Sequence, residues 1–531
     1  MTGPMMAGEV TTSTVTGAEA LIGTLTGAGV DVCFTNPGTS EMHFVQAMDR
    51  VPAMRAILTV FEGVATGAAD GYARITGRPA AVLLHLGPGL ANGLANLHNA
   101  RRAGSPLLCL VGAHATGHVR YDAPLQSDIE SAARTVSGWV HTSGTTRGLA
   151  GDAARAIAAT AGDGGQIATL IIPADLSWET GGRPAAPYPA PPRPPASPGA
   201  VDAAAAALAA GPAPLLLLGR NALTERGLRA ASRIAVAAGA RLLAETFPAR
   251  MEGGAGLPSV ARLPYLPEAA DQALAGTGQL ILAGARAPVT FFGYPGRGGD
   301  LVPDGCTVTE LAGRGQDAAS ALEELASRVA PDAEPQATPP GVPDITPGPL
   351  NPVNLANVIA TELPANAIIA DEAATSGFGL PQALAGAPRH TLLALTGGSI
   401  GQGLPVAVGA AVAAPDRPVL AIEADGSSLY TIQSLWTMAR EKLNVTTVLV
   451  NNAAYAVLRI ELARTGAGAA GPRAARLLDL SDPVTDFTRL SEGFGVPARR
   501  VTTAEELAEA LRWAQSAPGP HLIEAIVPPV A

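Results

Sequence analysis

The strongest chemical signal in the sequence is a pair of polar residues that each follow an apolar run typical of a buried strand. Asp425 follows RPVLAIEA, and Asn452, 27 residues later, follows VTTVLV and one further asparagine. Because the carboxyl ends of parallel strands meet at one edge of a sheet, we expect the two side chains to be neighbours. Carboxylate and amide oxygens suit Mg²⁺, which also binds substrate phosphates. The turn at Gly426 and Ser427 would let a phosphate approach the start of the next helix.

Two ionisable residues in the first third of the chain also lie beside apolar segments. Glu62 opens the helical stretch FEGVATGAADGYARITG, where a lone glutamate is often a partner of the helix dipole. His85 follows the apolar strand AAVLL, and a lone histidine in that position is usually structural. Residue type alone therefore leaves both a structural and an acid–base interpretation open.

The composition describes a large globular protein. The chain has 531 residues, 47% hydrophobic and only 15% charged, which is too apolar for a disordered chain. At roughly 100–200 residues per domain, this length suggests about three domains. The net charge of −10, without a basic run, argues against a nucleic-acid partner, and 4% aromatic residues argue against base stacking.

Cysteine usage and hydropathy exclude further classes. The three cysteines are far apart in sequence, which excludes a disulfide scaffold or a cysteine-rich metal site. The first residues resemble no signal peptide, and the longest apolar run, near residues 404–414, is too short to span a bilayer. We therefore expect a cytoplasmic protein that does not bind membranes.

Two proline-rich segments divide the chain. Residues 181–200 and 331–352 favour extended linkers, because proline at this density forbids helix. In the three parts, short continuous apolar runs alternate with helical patterns, which is typical of parallel sheets covered on both faces. We predict an α/β protein with three consecutive doubly wound parallel-sheet domains, which span residues 13–183, 200–333 and 351–531.

The pair Asp425 and Asn452 resembles the signature of the thiamine-diphosphate-dependent enzymes, which is Gly-Asp-Gly, an intervening helix and then Asn-Asn. Ala424 stands where the family usually has glycine, but this change removes no ligand. The resemblance covers the whole chain and implies a pyrimidine-binding, a middle and a diphosphate-binding domain in that order. It implies that Asp425, the Asn452 side chain and the Ala454 carbonyl bind Mg²⁺.

The same resemblance implies the residues that bind the cofactor. In GGSIGQGLP, Ile400 takes the position of the bulky aliphatic residue that holds the cofactor in a bent shape, although plain core packing remains an alternative. DEAATSG resembles the segment that contacts the diphosphate, and Thr375 is the expected donor, whereas Ala374 lacks a hydroxyl. The other expected cofactor-binding residues are Gly426, Ser427, Asn452 and Tyr455.

Glu62 lies where the family keeps its activating glutamate, since FEG…GAADGYAR matches that motif. A carboxylic acid against N1′ of the pyrimidine favours the tautomer that takes the thiazolium proton. In the family the pyrimidine site of one subunit faces the diphosphate site of another. The resemblance therefore implies a homodimer or homotetramer whose active sites lie at the subunit interface.

Three segments of the pocket are similar to benzoylformate decarboxylase. TNPGTSEMHF puts Thr39 on the serine that contacts the substrate carboxylate, LLHLGPG puts His85 on a catalytic histidine, and NNAAYAVLR matches a third motif. Two departures stand against this likeness. Gly293 lies about where the middle domain would supply a second histidine. Glu461 lies where the decarboxylase has an aromatic wall for its phenyl substrate, so a smaller, more polar or cationic 2-oxo acid fits better.

The resemblance implies a thiamine-diphosphate- and Mg²⁺-dependent 2-oxo acid decarboxylase or carboligase. Loss of CO₂ would leave an enamine, which takes up a proton or attacks an aldehyde or 2-oxo acid acceptor. The lost histidine favours carboligation, as in acetolactate synthases. An FAD-containing acetolactate synthase and a catalytically idle relative remain alternatives, and FAD is not indicated by any arginine-rich segment. Residues 463–478, rich in glycine and alanine, are a candidate lid.

Overall fold

The structure is a computed structural model, and it describes residues 15–211, 213–466 and 470–528. Small parts of the predicted first and third domains, residues 13–14 and 529–531, lie outside the described residues, as do residues 467–469 of the candidate lid. The proline-rich segments 181–197 and 331–348, which are fully described, contain no helix or strand. The exact domain boundaries stay predictions.

The first part of the chain forms a six-stranded parallel sheet. Its strands are β1 Val32–Thr35, β2 Arg55–Leu58, β3 Ala80–Leu84, β4 Leu107–Ala113, β5 Trp139–Thr142 and β6 Ile167–Pro173. Its helices are α1 Gly17–Gly27, α2 Met42–Arg50, α3 Glu62–Thr76, α4 Leu86–Ala103, α5 Ile129–Arg134, α6 Thr146–Ala159 and α7 Ala174–Trp178. The strand order is β2-β1-β3-β4-β6-β5, and every residue of β3 and β6 is buried because helices cover both faces.

The middle part forms a five-stranded parallel sheet in the order β10-β8-β7-β11-β12. The strands of this part are β7 Pro214–Leu218, β8 Arg241–Ala244, β9 Met251–Gly253, β10 Ala261–Arg262, β11 Gln279–Ala283 and β12 Thr307–Ala312. The helices are α8 Pro198–Ala210, α9 Glu225–Ala238, α10 Pro267–Leu274 and α11 Ala318–Val329.

The last part forms the third sheet. Its strands are β13 Ala367–Glu372, β14 His390–Ala394, β15 Val419–Ala424, β16 Val445–Asn451, β17 Ala498–Val501 and β18 His521–Ile526. Its helices are α12 Pro352–Thr361, α13 Leu380–Leu384, α14 Gly403–Ala413, α15 Asp425–Thr431, α16 Ser434–Glu441, α17 Ala456–Arg464, α18 Pro472–Arg476, α19 Phe487–Gly493 and α20 Ala504–Gln515.

The third sheet has seven strands, and one of them comes from the middle part of the chain. The order is β17-β18-β16-β15-β13-β14-β9, in which β9 pairs antiparallel with β14 while the other pairs are parallel. Residues 251–253 lie within the predicted middle domain and were not predicted as a strand, but they complete the edge of the third sheet. The three-domain parallel-sheet fold is otherwise as predicted.

Helices α3 and α14 join the first and third parts through glycine contacts. A side chain at Gly71 would collide with the Val406 carbonyl, and one at Gly409 would collide with the Ala68 carbonyl. The two backbones can therefore approach closely only because these positions are glycine. Ten of the eleven residues of α14 are buried, and α3 and α14 share one hydrophobic core. This contact connects the element that begins with Glu62 to the segment that carries Ile400.

No helix among the described residues combines the length and apolar character needed to cross a membrane.

Candidate active site

Asp425 lies at the carboxyl end of β15, where the chain turns into α15. Asp425 is 3% exposed, and its Oδ1 accepts a hydrogen bond from the Gly426 amide at 2.8 Å. Its Oδ2 is buried and has no hydrogen-bond partner among the residues that the structure describes. Burial raises the pKa of Asp425, although nearby backbone amides, including that of Asn452, act in the opposite direction. An incompletely satisfied carboxyl group thus lies at the edge of the third sheet.

The Asn452 segment lies beside Asp425, as the strand pattern predicted. Strands β15 and β16 are neighbours, and Ala424 is paired with Val450. After β16 the chain makes a tight turn in which Ala453 has a φ of +53° and the Asn452 side-chain oxygen accepts from the Ala454 amide at 3.0 Å. The backbone amides of this turn act to lower the pKa of Asp425, against the larger effect of its burial.

Tyr455 packs directly on the turn that follows β15. A Cβ atom at Gly426 would lie 2.5 Å from the Tyr455 ring, so that position has to be glycine. In the described part of the chain, no group of three or more His, Cys, Asp or Glu side chains is arranged so that it could hold a metal ion. A cation at this edge would therefore depend on Asp425 together with amide and backbone oxygens.

A cavity of about 370 Å³ lies between the third sheet and the middle part of the chain. Ile400, Ser427 and Ala374 line it from the third part, and Phe247 and Tyr265 line it from the middle part. Ile400 and Ser427 thus line the same cavity, and their role in cofactor binding stays a prediction. Thr375 is buried at 4% exposure but does not line this cavity, whereas the adjacent Ala374 does.

The Ile400 loop, residues 397–403, is held by the same chain's helix α4. The Asn96 amide donates to the Gly401 carbonyl at 3.1 Å and to the Gly63 carbonyl at 2.9 Å. Asn99 donates to the Ser399 carbonyl at 2.7 Å and accepts from the Ser399 amide at 3.2 Å. Sequence reasoning missed both asparagines, because their partners lie about three hundred residues away along the chain.

Glu62 begins α3 and is 7% exposed. The Asn92 amide donates to one of its carboxylate oxygens at 3.1 Å, and the Asn36 amide lies 3.5 Å from the other. Two side-chain amides thus orient the carboxyl group. Asn36 stands in the TNPG turn that the sequence singled out, but no signal in the sequence pointed to Asn92.

His85 is paired with a buried glutamate that sequence reasoning missed. Its Nδ1 lies 2.8 Å from Glu41 Oε2 and 3.2 Å from Ser40 Oγ. Glu41 is fully buried, and it also accepts from the Gly38 amide at 3.0 Å. Burial raises the pKa of Glu41, although His85 acts in the opposite direction. The adjacent β1 and β3 bring this pair together, since each group follows one of the two strands.

Thr39, the predicted carboxylate contact, is exposed at the start of the short helical turn that contains Ser40 and Glu41. The hydroxyl within reach of His85 belongs to Ser40. Glu62 and His85 both lie at the carboxyl edge of the first sheet. Among the described residues no hydrogen bond connects either of them to Asp425 or Asn452.

Comparison with known proteins identifies the family. Residues 15–133 match the model "Thiamine pyrophosphate enzyme, N-terminal TPP binding domain", and residues 377–525 match the corresponding C-terminal TPP binding domain. The chain belongs to the thiamine pyrophosphate enzyme family. Thiamine pyrophosphate is thiamine diphosphate, so the predicted family is confirmed.

Similar proteins agree with this membership. "Putative acetolactate synthase large subunit IlvX" of Mycobacterium tuberculosis is 58% identical over 96% of this chain and 99% of that protein. "Benzoylformate decarboxylase" of Pseudomonas aeruginosa is 30% identical over 93% of this chain and 96% of that protein. The solved 4-hydroxybenzoylformate decarboxylase of Rhodococcus jostii shares the fold, with a TM-score of 0.84, 24% identity and coverage of 97% of this chain and 99% of that chain.

The residues at the edge of the third sheet fit the metal and diphosphate of this family's cofactor. Asp425 presents a buried oxygen without a partner, which is costly unless a cation or donor meets it. Gly426 leaves the start of α15 free of a side chain, and Ser427 lines the adjacent cavity. Oxygen donors beside a helix start suit Mg²⁺ and phosphate.

Ligands of doubly wound sheets lie at the carboxyl ends of the strands. At that edge of the middle sheet, Arg220 crosses the crevice to donate to the Ala103 carbonyl, and half-buried Glu245 accepts from the Arg220 amide at 3.4 Å. The space beside them is about 210 Å³, below the roughly 300–1,000 Å³ of typical small-molecule pockets. The family models that match the chain name thiamine pyrophosphate and do not indicate FAD.

The two departures from the decarboxylase pattern also have a structural outcome. One carboxylate oxygen of Glu461 accepts from the hydroxyls of Tyr265 at 2.9 Å and Tyr294 at 3.3 Å, which come from the middle part of the chain. Gly293 has open space where a side chain would begin. The substrate preference inferred from Glu461 stays a prediction.

Proposed function

We propose that this protein is a thiamine-diphosphate- and Mg²⁺-dependent decarboxylase or carboligase of 2-oxo acids. One observation carries the proposal: at the strand edge that it shares with the Asn452 turn, Asp425 has a buried oxygen that meets no hydrogen-bond partner among the described residues. Burying a carboxylate in this way is costly, and the cost is repaid when a divalent cation binds it. The family membership and the cavity at Ile400 and Ser427 support the same conclusion.

On the diphosphate side, Asp425, the Asn452 side chain and the Ala454 carbonyl would hold Mg²⁺. Gly426, Ser427 and Thr375 would bind the diphosphate, Tyr455 would pack against it, and Ile400 would support the bent cofactor. When bound, thiamine diphosphate supplies an electron sink for the electron pair that remains when CO₂ leaves the 2-oxo acid.

On the pyrimidine side, Glu62 would hold a proton toward the pyrimidine ring, in an orientation fixed by Asn36 and Asn92. Glu41 engages Nδ1 of His85. This leaves the other ring nitrogen, Nε2, to exchange a proton with the reacting substrate. Thr39 or the neighbouring Ser40 would donate a hydrogen bond to the substrate carboxylate.

We further propose that two copies of the chain complete each site. The pyrimidine-side residues lie at the edge of the first sheet and the diphosphate-side residues at the edge of the third, with no hydrogen bond between them within the described residues. A monomer by light scattering at assay concentration with full activity would contradict this part.

Gly293 lies about where a second histidine would stand, so the middle part supplies no proton donor there and His85 is the proposed donor. The loss of the second donor disfavours protonation and supports transfer to a carbon acceptor. We therefore expect carbon–carbon bond formation with a second 2-oxo acid or an aldehyde. FAD-dependent acetolactate synthase is the alternative, and Arg220 in the crevice stands against it.

The test is an assay of purified protein with thiamine diphosphate, Mg²⁺ and a panel of 2-oxo acids that includes pyruvate, with and without an aldehyde acceptor. CO₂ release with a hydroxy-ketone or acetohydroxy acid product is the expected result. CO₂ with free aldehyde alone would correct the product assignment. No CO₂ from any acid, with cofactor binding demonstrated by calorimetry, would overturn the proposal. Asp416→Asn, an exposed change on the approach to β15, is a matched control for Asp425→Asn.

A further inference from the structure

Two buried carboxyl groups lie side by side in the third sheet without a role in the site described above. Glu372 ends β13 and Glu423 lies in β15, and the two are direct partners in the register of these strands. Glu372 is 3% exposed and Glu423 is fully buried. Parallel neighbours on one face of a sheet are in contact distance, and burying two acidic groups together is unfavourable unless something compensates.

Hydrogen bonds compensate the burial of the two carboxyl groups unequally. The Glu372 carboxyl group accepts three successive backbone amides, those of Gly401 at 2.7 Å, Gln402 at 2.7 Å and Gly403 at 2.5 Å. Both oxygens of Glu423 lack a partner among the described residues. Glu372 therefore holds the three amides of residues 401–403, whereas Glu423 makes no hydrogen bond to any of them among the described residues.

The three amides belong to the end of the Ile400 loop and the first residue of α14. The first amides of a helix have no partner within the helix, so they need acceptors from elsewhere. Glu372 supplies that acceptor from the neighbouring strand rather than from a local capping residue. Gln402, at the cap position, uses its own side chain to donate to Asp70 at 2.6 Å.

Glu372 also connects the loop to the cavity. It lines the same cavity as Ile400 and Ser427, and its strand continues into Ala374 at that cavity. Asn96 and Asn99 hold the loop by hydrogen bonds from the first part of the chain, and Glu372 holds it by hydrogen bonds from the third sheet. A carboxyl group that holds three consecutive amides sets the position of the residue immediately before them, which is Ile400.

We propose that Glu372 is a positioning residue for Ile400: it fixes the Ile400 loop in the free protein, so that Ile400 is already in place when the cofactor binds. The benefit of fixing Ile400 rests on the proposed function, in which Ile400 supports the bent cofactor. The hydrogen bonds by which Glu372 fixes the loop do not depend on that function. Glu423 is the natural comparison, because it lies beside Glu372 and contributes none of these hydrogen bonds.

The experiment compares Glu372→Gln with Glu423→Gln in the full-length protein. Amide hydrogen exchange is followed in the cofactor-free protein with peptides that separate residues 401–403 from the rest of α14. We expect Glu372→Gln to exchange at least about tenfold faster at 401–403, because glutamine offers one acceptor oxygen where the carboxyl group offers two, so at least one of the three amides loses its acceptor. Glu423→Gln is expected to match the wild type there, since Glu423 makes no hydrogen bond to these three amides among the described residues.

Cofactor binding and kinetics then separate positioning from general stability. For Glu372→Gln we expect thiamine diphosphate affinity, at saturating Mg²⁺, to fall by about tenfold or more, and kcat to fall at saturating cofactor. KM for the 2-oxo acid should stay within about twofold. A variant that only loses thermal stability, with unchanged exchange at 401–403, would overturn the proposal. Equal effects of the two variants would overturn it as well.

Two further measurements keep the test decisive. If Glu372→Gln does not fold, the wild-type protein alone tests the proposal. Fast exchange of the amides of residues 401–403 in the cofactor-free wild type would show that Glu372 does not fix the loop. Glu372→Asp keeps the charge but is one methylene shorter, and it should restore less than half of the lost protection. If the wild type binds no thiamine diphosphate, the proposed function fails, while the exchange data still decide whether Glu372 fixes the loop.

Discussion

The carboxyl groups on the two sides of the candidate site are satisfied in different ways. Glu62, on the pyrimidine side, has a side-chain amide near each oxygen, from Asn92 and Asn36. Asp425, on the diphosphate side, has one buried oxygen with no partner within the described chain. Within the described chain, the first group is oriented by side-chain donors, whereas the second keeps a free acceptor oxygen. This difference supports the proposal that a cation binds on the Asp425 side.

Asp425→Asn tests the diphosphate side, and we expect it to have the largest effect, which is loss of measurable turnover. Removing a ligand should weaken Mg²⁺-dependent cofactor binding by at least about 100-fold, since even outer partners of metal ligands are worth 10–100-fold. The free protein should keep or raise its melting temperature, because a buried unpartnered charge is removed.

Calorimetric titration with Mg²⁺ and thiamine diphosphate, and thermal melts with and without both, measure these two effects. Asp416→Asn should bind like the wild type. Cofactor affinity of Asp425→Asn within about threefold of the wild type would show that Asp425 is not a ligand.

Glu62→Gln tests the pyrimidine side. We expect kcat to fall by about 10²–10⁴, which is the usual contribution of a positioned acid or base. Cofactor and Mg²⁺ affinity should change only a few-fold, because the metal side is intact. Steady-state kinetics at saturating cofactor, with binding measured separately, give this split. A loss of cofactor binding as severe as in Asp425→Asn would remove the distinction between the two sides.

The sequence was sufficient for the residues that end buried strands. Asp425 and Asn452 follow adjacent strands, so a local pattern and the general rule for parallel sheets placed them together. Glu41 was missed because its partner His85 is 44 residues away and only the β1–β3 pairing joins them. Strand β9 was missed because three residues carry too little pattern to show which sheet edge they complete.

Glu372 and Glu423 show the same limit. Each looks like a strand residue in the sequence, and only the register of β13 and β15 puts the two carboxyl groups beside each other. Propensity and hydropathy report burial along one strand. They do not report which residue lies opposite on the next strand, and the chemistry of buried charges depends on that neighbour.

Glu41→Gln tests how the pyrimidine side holds His85, with a smaller expected effect. The amide can still accept one hydrogen bond, but the charged partner of His85 is lost. Hydrogen bonds to charged groups are worth about 1.5–3 kcal/mol, so we expect kcat/KM to fall by about tenfold or more. Ser40→Ala, which removes the weaker contact at 3.2 Å, should cost less than Glu41→Gln. An equal loss in both variants would mean that His85 is held by the hydroxyl instead.

The smallest expected effect is a pH dependence of stability that comes from Glu372, a third carboxyl group beside Glu62 and Asp425 in this comparison. Burial raises the pKa of Glu372 from 4.5 to about 7, despite the three amides that favour its ionised form. Between these values the folded protein keeps a proton that the unfolded chain has released. Stability therefore falls as pH rises from about 4.5 to 7, and the full cost is present above that window.

At about 1.4 kcal/mol per pKa unit, the cost is of the order of 3 kcal/mol at most. Denaturant unfolding of the wild type and of Glu372→Gln at pH 5, 6, 7 and 8 measures it as a difference between the two curves. The free energy of unfolding of the wild type should drop relative to the variant as pH rises. A difference that stays constant with pH would mean that Glu372 does not titrate in this window.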